Sequence, residues 1–491
     1  MMGDVRRIQR FSAHRVATLV EPSIGRGDGP VYERLAHALR QALVDGRLPS
    51  GTRLPSEREL TDRLGLSRTT VTRAYGRLRD QGYLVSRRGS GSVIVLPQVP
   101  GGRVDHLLTP SALDGDSLDL TCTAQPAPSG TGEAFRRALE ELPRYLPGTG
   151  YYPSGLTILR ERIADGYTAR GLPTDPDQII VTPGALGGLS VSLGAVVTRG
   201  DGVLVESPTY ANAIAAIEGA GGRLLAHPID HLTSDWDVPG LDGALAGHRV
   251  RAAYLIPDFH NPTGALMSPG QRDEVAAVLR SRGVTPIVDE SLVDLALDDA
   301  VLPMPAPFAR SARSAITIGS ASKLLWGGLR IGWVRAPRAL VAQVASSRLR
   351  QDLGAPVLEQ LATAYLLERR EEIVAERRAQ LRSSRDALLA GLATHLPTWR
   401  VRVPSGGMAL WCALPEQGST ALVVAARRYG IALAAGPNFA PRGGLDGWVR
   451  LPYSLPAAQI GLVAERLAQA WDDVTSGRVR AEAATDRRII A

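Results

Sequence analysis

Lysine occurs once in this chain of 491 residues, at Lys323, although lysine and arginine together number 56. Arginine replaces lysine well as a surface charge. It fails where an amine must shed its proton and attack a carbonyl, because the guanidinium stays protonated. A chance survivor of general lysine depletion is the plainer reading, and this fact alone leaves both open. The neighbourhood is more telling. Ser320-Ala321-Ser322-Lys323 sets two hydroxyls beside the amine, and Arg330 follows seven residues later.

Other chemistry-bearing groups precede Lys323, each after a short apolar run. Thr182-Pro183-Gly184-Ala185-Leu186-Gly187-Gly188 opens a helix, where free backbone amides suit a phosphate. Glu206-Ser207-Pro208-Thr209-Tyr210 offers an aromatic face for a planar ring, Asn261-Pro262-Thr263-Gly264 a side-chain amide, and Asp289 a carboxylate. Singly these are weak: Asn-Pro-Thr-Gly is ordinary turn chemistry, Asp289 could cap a helix, and Tyr210 could simply pack.

The elements that must position them are legible from the runs themselves. Ile179–Val181, Val203–Val205, Ala252–Ile256, Thr285–Val288 and Ala315–Ile318 read as buried strands alternating with helical stretches. That pattern predicts an α/β domain with a mostly parallel sheet, whose ligands gather beyond the carboxyl ends of the strands.

The N-terminal fifth reads differently. Residues 1–98 hold 17 arginines and 9 acids, a net of +8, against the chain's total of +7, so the remainder is near neutral. A basic module on a neutral body suits a polyanion partner. Val31, Leu35, Ala38, Leu39, Ala42 and Leu43 share one helical face. Ser56 and Glu59 have capping-box spacing, Gly65 ends that helix, and Ser67 can cap a third helix from Arg68 to about Arg79. Two short helices around a glycine turn predict a helix-turn-helix whose third helix enters the major groove. Tyr83–Ser86 and Ser92–Val95 then predict a hairpin wing with a basic tip at Arg87-Arg88-Gly89.

No run of apolar residues is long enough for a membrane span, and the basic N-terminus lacks a signal peptide's apolar stretch. Two distant cysteines, Cys122 and Cys412, argue against a disulfide scaffold or a cysteine metal site and for a reducing cytoplasm. No metal is expected.

Gly51–Leu60, Leu66–Val71 and Gly82–Leu84 closely resemble the GntR family of regulators. That resemblance implies operator contacts from Arg58, Ser67, Arg68, Thr69, Thr70 and the wing residue Gly89. The ordered motifs from Gly184 to Arg330 resemble fold-type I, class I/II aminotransferases, which implies pyridoxal 5′-phosphate as cofactor. On that resemblance Lys323 forms the internal aldimine, Asp289 pairs with the pyridine nitrogen, Asn261 bonds the ring hydroxyl and Tyr210 stacks on the ring. Ser320, Ser322, Arg330 and the amides of Gly184, Ala185 and Leu186 hold the phosphate, joined by Tyr151 from a partner subunit. Arg450 grips a substrate or effector carboxylate.

The two halves together resemble the MocR/GabR subfamily of GntR-type transcription regulators. The expected layout is an N-terminal extension at 1–28, a winged helix-turn-helix (α+β) at 29–96, a linker at 97–117, an α/β aminotransferase-like domain at 118–472 and a tail at 473–491. The implied function is a dimeric DNA-binding regulator that senses the cofactor, an amine, an amino acid or a B6 vitamer through Lys323. The alternative is an active aminotransferase with an accessory DNA-binding head. One departure bears on that choice. The family carries a tyrosine two or three positions after the ring aspartate, donating to the cofactor's phenolic oxygen; here Ser291 and Leu292 stand there. Loss of that donor should raise the aldimine pKa. Leu186 likewise stands where many relatives have a polar side chain. Both departures favour a site kept for binding over one kept for turnover, with at most residual transaminase activity.

Overall fold

A computed structural model describes residues 11–25, 29–44, 48, 52–87, 91–95, 117–230, 236–246, 249–441 and 443–479. The chain divides into two compact units, residues 1–103 with 127–136, and residues 104–126 with 137–491. The expected linker at 97–117 (save Ser117), the wing tip at Gly89 and the tail beyond Val479 lie outside the described residues.

The first unit contains four helices among its described N-terminal residues: α1 (Ala13–Ile24), α2 (Val31–Val44), α3 (Glu57–Leu64) and α4 (Arg68–Asp80). The expected capping box at Ser56 forms in full. The Ser56 hydroxyl accepts from the Glu59 amide at 3.2 Å, and the Glu59 carboxylate accepts from the Ser56 amide at 2.8 Å. Gly65 ends α3 at φ 65°, a left-handed position that disfavours any residue with a Cβ. Ser67 caps α4 by accepting from the Thr70 amide. Strands β1 (Leu84–Arg87) and β2 (Gly91–Ile94) pair antiparallel as the wing, Leu84 opposite Ile94.

The described part of the expected N-terminal extension at 1–28 is not separate from the winged domain: α1 belongs to the core of this unit. Phe11, Val16 and Val20 pack in one apolar cluster with Leu39, Leu60, Val71 and Leu78. The sequence signal was weak because Pro22 lies inside the helix and its buried face is only Val16, Ala17 and Val20.

The second unit is built on seven strands: β3 (Ile179–Thr182), β4 (Gly202–Ser207), β5 (Arg223–Pro228), β6 (Val250–Leu255), β7 (Thr285–Asp289), β8 (Ile316–Ser320) and β9 (Gly332–Arg335). Their order in the sheet is β3-β9-β8-β7-β6-β4-β5. The run β8-β7-β6-β4-β5 is parallel, and only β9 runs antiparallel to both its neighbours. The central strands are apolar almost throughout because helices cover both faces. Their core is Val203, Val205, Tyr254, Ile287, Ile316 and Ile318 with Leu189 and Leu193 of α5 (Gly184–Val196). A four-stranded sheet follows in the order β10-β11-β13-β12: β10 (Arg400–Val401), β11 (Ala409–Ala413), β12 (Ala434–Ala435) and β13 (Trp448–Pro452). The long helix α6 (Arg370–His395) packs on α7 (Ala457–Thr475). Among the described residues no helix is long and apolar enough to cross a membrane.

Candidate functional site

Every parallel strand near the centre of the large sheet delivers its polar residue at the carboxyl end. Asp289 is the last residue of β7 and Ser320 the last of β8. Tyr210 follows β4, and Asn261 follows β6. These ends surround a cavity of about 350 Å³. Of the expected cofactor residues, Lys323, Asp289, Asn261, Tyr210, Ala185, Leu186, Ser320, Ser322 and Arg330 line it.

One side of this cavity gathers hydrogen-bond donors. Helix α5 begins there with Pro183 at its N-cap, which offers no side-chain acceptor to the first-turn amides. Arg330 leans over the same turn, donating to the Pro183 carbonyl at 3.4 Å and the Gly327 carbonyl at 3.3 Å. Gly184 sits at φ 78°, a left-handed position that favours glycine, and a Cβ there would stand 2.8 Å from the Arg330 guanidinium and push it aside. Arg330 itself adopts φ 52°, a strained conformation for a residue with a side chain, of order 1–3 kcal/mol. Ser320 Oγ accepts from the Ser322 amide at 3.1 Å and folds the two hydroxyls into one turn.

The other side presents a carboxylate, Asp289. Both oxygens of Asp289 are held: Tyr254 donates its hydroxyl to one at 2.8 Å, and the Ser291 amide donates to the other at 2.9 Å. Asn261, which lines the cavity, accepts from Arg450 Nη1 through its carbonyl oxygen at 3.2 Å. The loop carrying Asn261 is anchored from below, where Glu206 accepts from the Ile256 amide at 2.9 Å and from Trp236 Nε1 at 2.7 Å. His260, fully buried, stands 3.2 Å from the same carboxylate.

Between the two sides lies Lys323, whose Nζ donates to the carbonyl and the hydroxyl oxygen of Thr123, each at 3.1 Å. Burial pushes its amine below the ordinary lysine value. Arg450 and Arg330 push the same way, while Cys122 and Asp289 oppose. The recessed amine is therefore easier to deprotonate than one on the surface.

Three expected residues do not line the cavity: Gly184, beside Arg330 at the start of α5, Tyr151 and Arg450. Tyr151 is 64% exposed and does not line it. Arg450, on β13, is completely buried beneath it, with Nη2 donating to the Thr121 carbonyl at 2.6 Å and Nε without a partner. Burial lowers its guanidinium to about 10. Ser291 and Leu292, the two positions where the resemblance leads one to expect a tyrosine, both line the cavity, and the Ser291 hydroxyl is buried and unpartnered. Sequence reasoning missed Tyr254 and Thr123. Tyr254 was hidden as one member of an apolar strand, where its polar tip was the only signal. Thr123 lies in a stretch with no pattern at all.

The fit to pyridoxal 5′-phosphate is good on these observations. The uncapped α5 terminus suits its phosphate, Asp289 its ring nitrogen, the recessed amine its carbonyl, and the orphaned Ser291 hydroxyl lacks a partner without a ligand.

In the first unit, Arg58, Arg68 and Thr69 are exposed, the last two on the opening turn of α4. Ser67 and Thr70 hydrogen-bond one another through their hydroxyls at 2.7 Å. Tyr75, on the inner face of α4, is buried and donates to the Pro55 carbonyl at 2.9 Å, which fixes the helix against the turn before α3.

This combination of a winged helix-turn-helix and a Schiff-base-type α/β fold defines a regulator with an aminotransferase-like body. Comparison with known families agrees. Aminotransferase class I and II matches residues 133–467, and the gntR family of bacterial regulatory proteins matches residues 31–94. The chain belongs to the class I and II aminotransferase family and carries a gntR-family head, the MocR-type architecture. It is 30% identical to the HTH-type transcriptional regulator YdcR of Escherichia coli, over 83% of this chain and 92% of that protein. It is 29% identical to the HTH-type pyridoxine biosynthesis transcriptional regulator PdxR of Corynebacterium glutamicum, over 78% and 83%. Among solved structures it is similar to LysN, the alpha-aminoadipate aminotransferase of Thermus thermophilus complexed with N-(5′-phosphopyridoxyl)-L-leucine. That likeness has a TM-score of 0.67 and 28% identity, over 74% of this chain and 94% of LysN. The chain is thus an HTH-type, DNA-binding transcription regulator with a pyridoxal-phosphate-type domain.

Proposed function

We propose that this regulator carries pyridoxal 5′-phosphate on Lys323 and acts in the cytoplasm as a homodimer. Its operator affinity follows the binding of a small amine, amino acid or B6 vitamer in the same cavity. When bound, the cofactor supplies an electrophilic carbonyl and an electron-withdrawing ring. The chain's own residues do the rest. Lys323 presents an amine that burial has made easier to deprotonate. Asp289 would hold the proton on the ring nitrogen, kept in place by Tyr254 and the Ser291 amide. Asn261 would donate to the ring hydroxyl and Tyr210 would cover one ring face. Ser320, Ser322, Arg330 and the amides of Gly184, Ala185 and Leu186 would hold the phosphate, with Tyr151 reaching it from the partner. Arg450 would pair with an effector carboxylate by exchanging Thr121 and Asn261 for it. In the head, Arg58, Arg68 and Thr69 would meet operator phosphates and bases, and Ser67 and Thr70 would shape the turn that presents them. Gly89 belongs to this reading but lies outside the described residues.

The observation that carries the proposal is the placement of the chain's sole lysine between an uncapped helix terminus and a buttressed aspartate. A dimer is supported by exposed apolar side chains, among them Leu146 at 68%, Tyr151 and Leu186. The pyridoxine biosynthesis role in PdxR's name makes B6 vitamers a first choice of effector to try. The expected coupling between effector and operator is about 1–3 kcal/mol, a range typical of allosteric pairs. The test is to titrate amines, amino acids and B6 vitamers into one sample while following visible absorbance and operator affinity together. The two should move together. A spectral change with constant operator affinity would overturn the sensing role, and a colourless protein in saturating cofactor would overturn the cofactor assignment.

The likeness to LysN favours a second reading, a working aminotransferase with a DNA-binding head. Multiple turnovers with amino acid and 2-oxo acid pairs would establish it; a single half-reaction without turnover supports the sensor.

A further inference from the structure

Four backbone carbonyls of the segment from Thr121 to Pro126 are each held by a different side chain. Arg450 donates to Thr121 at 2.6 Å, Ser454 to Cys122 at 3.4 Å, Lys323 to Thr123 at 3.1 Å and Arg377 to Pro126 at 2.5 Å. Two of these donors, Lys323 and Arg450, are the groups that the proposed cofactor and effector carboxylate would claim. Their carbonyl partners are therefore placeholders.

Arg377 is of another kind. It lies on α6, does not line the cavity and is 2% exposed. Besides Pro126, its Nε donates to the Leu324 carbonyl at 3.0 Å and its Nη2 to the Leu325 carbonyl at 2.8 Å. Those are the two carbonyls immediately after Lys323. Its remaining hydrogen bond goes to the neutral side chain of Gln380. Burial lowers the guanidinium to about 10. A buried cation with only neutral hydrogen-bond partners is expensive to keep. The fork earns its place by closing a loop of contacts: Lys323 to Thr123, along the chain to Pro126, through Arg377 to Leu324 and Leu325, and back to Lys323.

We propose that Arg377 is a positioning residue for Lys323. It clamps the 121–126 segment to the turn that carries the lysine, and it is the tether to that turn that persists when ligands take Lys323 and Arg450. The second clause rests on the cofactor and effector reading above; the first stands without it.

The experiment exploits the absence of any other lysine. The full-length chain, stripped of cofactor, is pulsed with an amine-acetylating reagent across a range of pH, and Lys323 is read apart from the N-terminal amine by peptide mass. Arg377→Gln is compared with wild type, and Arg377→Lys provides a variant that keeps the charge without the fork; its new amine is resolved by mass. The charged and titratable groups facing Lys323, namely Cys122, Arg450, Asp289 and Arg330, are unchanged in both. If Arg377 positions the turn, water reaches Lys323 in the variants and its labelling midpoint rises toward that of an exposed lysine. Labelling at pH 8, as a fraction of its high-pH plateau, then falls by about threefold or more. An unchanged midpoint in a variant that still melts cooperatively overturns the proposal. Loss of the fold in both variants also overturns it, by assigning Arg377 to stability alone. A wild-type chain that never takes up pyridoxal 5′-phosphate would sink the cofactor reading, while the midpoints would still decide the role of Arg377.

Discussion

At the scale of single residues, the site is organised by what surrounds two charges. Lys323 is recessed and its amine is lowered by burial, with Arg450 and Arg330 adding to the effect. For a base the sign is direct: the uncharged, nucleophilic form prevails down to a lower pH than in a free lysine, near 10.4. Capture of pyridoxal 5′-phosphate by the stripped chain should therefore rise with pH and level off below that value. A capture rate still climbing at the pH of an exposed lysine would contradict this. Lys323→Ala should abolish the visible band altogether. Asp289 depends on Tyr254, whose hydroxyl is its only described side-chain donor. Tyr254→Phe strips a hydrogen bond from a recessed carboxylate and should cost about 1.5–3 kcal/mol, measured by urea denaturation of the second unit. Little of this pairing was visible beforehand. A tyrosine in an apolar strand reads as packing, and only the register of β6 beside β7 brings its hydroxyl to Asp289.

At the scale of elements, the sequence was most legible where local rules act alone. The Ser56–Glu59 box, the left-handed Gly65 and the Ser67 cap all follow from short-range geometry, and each forms as expected. Buried strands were legible because the doubly covered sheet demands unbroken apolar runs. Helix α1 was not, because its stability comes from tertiary packing onto α2 and α3 that no local pattern encodes. The segment from Thr121 to Pro126 was invisible for the same reason, since the side chains that hold its carbonyls come from far along the chain. Two outcomes test the head at this scale. Val20→Ala, in the buried face of α1, should destabilise the first unit by about 1–3 kcal/mol despite lying outside the helix-turn-helix. Arg68→Ala, on the exposed opening turn of α4, should leave the melting curve in place and remove the operator shift in a gel assay. If instead Val20→Ala melts like wild type, α1 is dispensable to the core.

At the scale of the whole molecule, two compact units with separate cores predict two melting events in place of one. Cofactor at about a hundred times its dissociation constant should stabilise the second unit by about 2.7 kcal/mol and leave the first unit's transition where it was. Calorimetry with and without cofactor distinguishes these, and Val20→Ala should move only the other transition. A single transition shifted as a whole by cofactor would show that the units unfold together.

The arginines of α6 carry a consequence for how this sequence can change over time. Arg377 grips three carbonyls; Arg378 donates to Ala296, Arg382 to Leu297 and Arg385 to Pro404. A planar fork can serve several backbone acceptors at once, which a single ammonium on a flexible stem cannot reproduce. Exchange between the two basic residue types is therefore costly at both ends of this contact: Arg377 as lysine would lose its grip on three carbonyls, and Lys323 as arginine would lose its deprotonable amine. The arginine-rich composition of the chain is thus tied to interior contacts as well as to surface charge.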